Sequence, residues 1–431
     1  MLKSIGWMSL STVLRMGSGF VLFVIVARQL GVESFGTLSY WMAVAGLATL
    51  PVNYGFGLYA LREIGRNPAI SSALIADTLV AKLALAALMA MVFALSLPWL
   101  AERQTIVAWA LLAMFFLESF AEHFNAGLRA SGAFHVEAKL AVLISFGQLG
   151  LVSGVALIAP QLESVALAFF ASRFFALLLT CLVYRRGKRL AQADWRGACH
   201  RIAQTLRAGL PYAADTVVST INSTVDVLIL QHFAGARAVG QYQAGMRLMQ
   251  GANAVAPILG NVYIPRISNE YRAGNELDTV LSNLMFKLLI SAGLIGAGFA
   301  WLGEPLIHLL FGSSYSEVGH LMPWFGLLLL IRHLATSFGV NLTAAGLQKS
   351  RVFINVCSLL GLCLTAFALT PKLGAQGLVL ALNFAALIVA GAYASIVLKR
   401  GLPTGFNRTN GAIFVFSLAL IAPRCLATYQ S

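Results

Sequence analysis

Twelve apolar runs, each close to the length that crosses a bilayer, restrict the fold of this 431-residue chain more than any other feature. About 20 helical residues span roughly 30 Å of hydrocarbon. Inside hydrocarbon the backbone has no water to bond, so isolated runs of this length are helical. They lie at 5–27, 38–61, 74–98, 105–127, 138–159, 164–184, 209–233, 240–265, 279–302, 318–344, 352–370 and 375–398. A further run, Gly411–Ala422, is too short to cross comfortably and meets Pro423 and Arg424, so an interfacial or partly inserted tail is expected there. With 59% hydrophobic and 11% charged residues, an ordinary soluble domain is excluded.

The longest polar stretch lies near the midpoint, where Arg185, Arg186, Lys188, Arg189, Arg196, Arg201 and Arg207 face one acid, Asp194. It reads as a cytoplasmic linker between two membrane-embedded halves. Counting lysine and arginine between the runs gives 19 on the side of the N-terminus and 4 on the other, which predicts cytoplasmic termini at both ends. The net charge of +14 punctuates apolar segments, so it sets orientation and does not mark a nucleic-acid binder. The first run holds Arg15 and lacks a small-residue cleavage site, so it is expected to remain as a first helix.

An internal repeat supports two halves: Gly31, Gly36 and Arg62 recur as Gly235, Gly240 and Arg266 at an offset of 204, with Pro51 echoed by Pro257. Further on, Gly127, Leu128 and Ser131 match Gly346, Leu347 and Ser350 at an offset of 219. The expectation is an all-α polytopic membrane protein of about 12 transmembrane helices in two six-helix lobes. The lobes would be 1–184 and 209–400, with the linker at 185–208 and a short tail at 401–431.

Catalytic motifs are missing: there is no GxxxxGK[ST], HExxH or GxSxG, and the seven histidines have no ligand spacing. Cys181, Cys199, Cys357, Cys363 and Cys425 are odd in number and form no CxxC pair, so neither disulfides nor a metal is implied. The chain is therefore read as a carrier and not an enzyme. Ionisable residues inside the runs stand out instead: Arg15, Lys82, Arg173, Arg247, Lys287 and Arg332, with Asp77, Glu118, Glu122, Asp215 and Asp226. Each costs about 2.5–3.5 kcal/mol at a lipid-facing helix centre, so they must face protein or water. Pairing as packing clamps is one outcome, favoured for Asp77, Lys82 and Glu122 near a membrane surface. Two polar stripes favour a lined cavity: Asp215, Ser219, Asn222 and Asp226 in the seventh run, and Ser4, Ser11, Arg15 and Ser18 in the first. A desolvated carboxylate tends to take up a proton, which makes Asp215, Asp226 and Glu118 candidates for coupling to a proton or sodium gradient.

Several residues carry a family resemblance. They are Ala27, Arg28, Leu30, Gly31, Phe35, Gly36, Tyr40, Gly55, Gly57 and Arg62 in the first half, and Asp226, Val239, Gly240, Tyr242, Arg247, Leu248, Pro265 and Ser268 in the second. Phe311, Gly312 and Tyr315 precede the tenth run, and Gly374 and Gly377 the twelfth. In these the chain resembles the polysaccharide-transporter branch of the multidrug, oligosaccharidyl-lipid and polysaccharide exporter (MOP) superfamily, the group of the O-antigen (Wzx-type) flippases. The resemblance implies a MATE-like fold with an alternately opened cavity in the bacterial inner membrane. It implies transport of an undecaprenyl-pyrophosphate-linked oligosaccharide from the cytoplasmic to the periplasmic leaflet, in lipopolysaccharide or other surface-polysaccharide biosynthesis. A polysaccharide polymerase, a chain-length regulator and membrane lipid are the partners it points to. On that basis Arg15, Arg247, Arg332 and Lys287, with Lys82 and Arg173, are candidates for binding pyrophosphate or acidic sugars, and Ser11, Ser18 and Asn222 for lining the cavity. The short tail departs from fourteen-span members. The alternative is a cation-coupled multidrug or metabolite exporter of the related antiporter branch, for which an acid-rich cavity would be expected; six intramembrane bases against five acids lean toward an anionic cargo.

Overall fold

The computed structural model describes residues 2–67, 71–100, 104–187, 195–273 and 277–430. Among these there is no strand. The first half runs α1 (Leu2–Ala48), α2 (Leu50–Asn53), α3 (Phe56–Arg66), α4 (Ser71–Leu100), α5 (Thr105–Ala130), α6 (Phe134–Ile158) and α7 (Leu162–Gly187). The second runs α8 (Trp195–Asn253), α9 (Val255–Ala273), α10 (Leu277–Phe311), α11 (Val318–Ala344), α12 (Gln348–Lys399) and α13 (Arg408–Gln430). Nine stretches of the described residues are long and apolar enough to cross a membrane. The fold is an all-α, multi-pass membrane protein.

Three of these helices are too long for one crossing and each breaks at a glycine. Gly31 in α1 has φ 75° and ψ 170°, Gly235 in α8 has φ 76° and ψ −178°, and Gly374 in α12 has φ 53° and ψ −132°. The first two lie in a region that side chains other than glycine essentially cannot enter. Past Gly374 the chain doubles back, because the Ser358 hydroxyl donates to the Ala385 carbonyl (3.1 Å) and the Tyr393 hydroxyl to Asn355 (2.8 Å). The paired glycines of the repeat thus share one turn conformation.

The second repeat pairing is corrected. Gly132 (φ 76°) and Gly346 (φ 77°), 214 residues apart, end α5 and α11 in the same way. Ala133 N–H bonds the Leu128 carbonyl and Leu347 N–H the Leu342 carbonyl, a six-to-one closure that needs a left-handed glycine just past the helix. Gly127 instead lies inside α5, where a Cβ would stand 2.9 Å from the Tyr184 ring. It is a packing glycine and not the partner of Gly346.

The chain divides into two compact units, Met1–Leu228 and Ile229–Ser431. In the first, Ala60, Ile64, Ile75, Phe124, Leu128, Leu140 and Tyr184 form a buried cluster joining α3 to α7. In the second, Ala256, Tyr263, Ile267, Leu281, Leu284, Leu288 and Val340 do the same for α9, α10 and α11. Of the expected linker 185–208, residues 188–194 lie outside the described residues, and from Trp195 the chain is already helix.

The expected tail is a full helix. α13 has 23 residues and runs parallel to α10: Asn407 Nδ2 donates to the Ser282 hydroxyl (2.6 Å) at one end, and Trp301 Nε1 donates to the Leu420 carbonyl (3.1 Å) toward the other. Pro423 does not stop it: the helix runs on to Gln430, as prolines inside membrane helices are tolerated. Arg424 does not stop it either, since its guanidinium lies 4.2 Å from the Trp301 ring centroid. Running beside α10, α13 is long and apolar enough to cross a membrane, in place of the short interfacial tail expected. A topology reporter fused after Thr428 is expected to read the opposite side of the membrane from one fused after Lys399; the same side for both would return α13 to the interface.

Candidate functional site

In the first unit the second crossing is broken near its end. Tyr54 (φ 40°) and Gly55 (φ 67°) are both left-handed between α2 and α3, and a Cβ on Gly55 would meet the Tyr212 backbone at 2.5 Å. The start of α8 therefore docks directly on this corner. Arg62 Nη1 donates to the Tyr212 hydroxyl at 2.6 Å, and Arg201 Nε reaches both Asp77 oxygens at 3.0 Å. The hydroxyl bond to Tyr212 raises the Arg62 guanidinium above its ordinary range. Asp77, expected near a membrane surface, is thus a clamp on the basic segment.

Lys82 is 4% exposed on α4, where its Nζ donates to the Ser119 carbonyl at 2.9 Å and lies 5.9 Å from the Phe120 ring. Ser119 in turn donates its hydroxyl to Asn53, the last residue of α2, at 2.6 Å. His123, 1% exposed, has Nε2 3.0 Å from the Ile75 carbonyl and 3.4 Å from the Thr78 hydroxyl. Glu118 and Arg173, expected in different roles, are brought together at 3.4 Å. Glu122 pairs with Arg129, which also bonds Glu137 at 2.8 Å.

The two polar stripes divide by residue. Ser11 and Ser18 are each 7% exposed, and the Ser18 hydroxyl donates to the Arg15 carbonyl (3.0 Å), while Arg15 itself is exposed with no acidic partner among the described residues. Ser11 also borders an open apolar hollow of about 320 Å³ with Leu14, Lys139 and Phe146. Asp226 is 7% exposed and accepts from the Val227 N–H at 2.8 Å, whereas Asn222, one turn earlier, is exposed. The side chains of Ser4, Asp215 and Ser219 lie outside the described residues.

In the second unit Lys287 is exposed, donates to the Tyr263 hydroxyl at 2.9 Å and sits 5.3 Å from that ring. Arg247 is half-buried and reaches Gln250 at 3.3 Å, one turn along α8. Arg332, also half-buried, presents its carbonyl to the Thr336 hydroxyl at 2.8 Å. Glu317, just before α11, accepts from Gln241 and, at 3.1 Å, from Arg237. The first unit has a neutral counterpart, in which Trp41 Nε1 donates to Gln104, just before α5, at 2.5 Å. Tyr212, Asn53, Ser119, His123, Tyr263 and Glu317 were not singled out from the sequence; of these, Asn53 had a signal, a polar residue two places after Pro51 inside an apolar run.

Helical units with like corners, and ionisable side chains carried on the crossing helices of both, define an internally repeated polytopic membrane protein. The chain belongs to the family described as polysaccharide biosynthesis protein, whose sequence profile matches residues 1–270. It is 24% identical over 379 residues to a Shigella dysenteriae protein named for O-antigen transport, covering 86% of this chain and 93% of that protein. Its fold is similar to lipid II flippase MurJ in an inward closed conformation (TM-score 0.71, 14% identity, 98% of this chain and 97% of that one). It is also similar to an inward-facing MATE-family multidrug resistance transporter of the MOP superfamily (TM-score 0.69, 15% identity, 90% and 94%).

The Glu317 clasp has a pH signature. Hydrogen bonds from Gln241 and then Arg237 hold its carboxyl below the ordinary value. The clasp therefore contributes fully above the ordinary carboxylate range near 4.3 and is lost as pH falls through the lowered value. Thermal stability measured from neutral pH down into the acid range is expected to fall less steeply in Glu317→Gln than in the wild type; an identical slope contradicts the assignment.

Proposed function

We propose that the chain is a flippase for lipid-linked glycan. It moves an undecaprenyl-pyrophosphate-linked oligosaccharide, the repeat unit of O-antigen or another surface polysaccharide, from the cytoplasmic to the periplasmic leaflet of a bacterial inner membrane. The observation that carries this reading is the pair of exposed cations on crossing helices, one in each unit: Arg15, with no acidic partner among the described residues, and Lys287, answered by a tyrosine hydroxyl and not by a carboxylate. Such cations are costly in hydrocarbon unless an anion or water meets them. A pyrophosphate head supplies that anion, and arginine offers it a two-pronged donor. Half-buried Arg247 and Arg332 extend the same chemistry in the second unit. Family membership and the relative named for O-antigen transport support a glycan cargo. The cycle proceeds by alternating access driven by a proton or sodium gradient, and a polymerase with its chain-length regulator consumes the product.

Replacing Arg15, Lys287, Arg247 or Arg332 singly by alanine is expected to lower surface glycan about tenfold, in line with one charge-assisted hydrogen bond of roughly 1.5–3 kcal/mol. Lipid-linked repeat units should then accumulate in the cytoplasmic leaflet. Unchanged surface glycan at equal protein levels in all four variants overturns the reading.

A further inference from the structure

We propose that Lys82 is the proton-exchanging group through which an ion gradient acts on the first unit; this rests on the gradient-driven cycle of the preceding reading. A lysine ammonium in a membrane-crossing helix is normally met by a carboxylate. Lys82 is 4% exposed and, among the described residues, its nitrogen bonds the Ser119 carbonyl and lies 5.9 Å from the Phe120 ring. A charge held so sparsely is expensive to bury, and losing the proton removes the expense, so the site is poised to exchange.

The surroundings give the exchange an effect. α4 packs against α2, α3 and α5. From α5, Glu122 acts electrostatically on Lys82, and Lys82 acts on His123. Glu122, whose side chain is 54% exposed, is committed to Arg129. His123 is 1% exposed and its Nε2 is held at the Ile75 carbonyl, so it stays a neutral member of the same buried set. From α3, Arg62 is occupied by Tyr212 and Glu63 by Arg66, while Asp77 on α4 itself holds Arg201. α2 brings Asn53, which carries no charge. Ser119 is the transmitting residue: its carbonyl takes the Lys82 proton bond and its hydroxyl holds Asn53, beside the left-handed Tyr54 and Gly55. Ammonium becoming amine, with the proton released to water, thus weakens the tie between α4 and α5 next to the corner where the second crossing is broken.

The full chain in proteoliposomes, with a fluorescent undecaprenyl-pyrophosphate-linked trisaccharide as probe, tests this. Lys82→Met and Lys82→Arg are compared with wild type for probe exchange without a gradient and for its stimulation by a pH gradient. Both variants are expected to keep gradient-free exchange within about twofold and to lose a stimulation of about tenfold, a coupling of ordinary size. Arginine can keep the Ser119 bond but does not release its proton, so a merely structural lysine would leave Lys82→Arg as responsive as wild type; that result overturns the proposal, even where Lys82→Met fails to fold. A wild type that exchanges the probe but ignores the pH gradient removes proton coupling, and this inference with it. A wild type that does not move the probe removes the flippase reading itself.

Discussion

Every departure from helix in this protein has to satisfy backbone groups that hydrocarbon will not solvate. The departures accordingly use few devices. Turns between crossings rest on left-handed glycines such as Gly31 and Gly235, which reverse the chain within one residue. The α5–α6 and α11–α12 corners close on Gly132 and Gly346 with the same six-to-one bond.

Charge obeys the same economy. Asp77, Glu118, Arg129 and Arg173 are matched with partners from other parts of the chain, and these pairs fix helix against helix. Lys82 is buried without such a match among the described residues, while Arg15 and Lys287 remain exposed. These three environments differ in kind: a matched pair fixes one helix against another, whereas the sparsely held ammonium and the exposed cations do not.

Much of the helical framework was legible because a membrane demands long apolar runs, and those runs fall on helices. The pairing of Gly31 with Gly235 was also legible, since a turn that requires glycine leaves the same letter in both halves. Gly127 misled for a related reason: glycine serves close packing as well as turns, and only the Tyr184 ring against it tells the two apart. The tail was misread because Pro423 and Arg424 look like a stop, while the indole that receives Arg424 belongs to α10, far away in sequence. The meeting of Glu118 with Arg173, and of Ser119 with Asn53, depends on which helices pack together and leaves no periodic trace.

Gly296 of α10 and Gly326 of α11 face each other so closely that a Cβ on the first would stand 2.9 Å from the carbonyl oxygen of the second. With no side chain between them to tilt or compress, neither helix can roll without driving main chain into main chain. Ser417 and Ile421 of α13 press on the same stretch of α10. These three helices therefore form a stiff plate, and whatever bending the second unit undergoes must be taken up away from that crossing, at seams such as the break after Asn253 or the bend at Gly374.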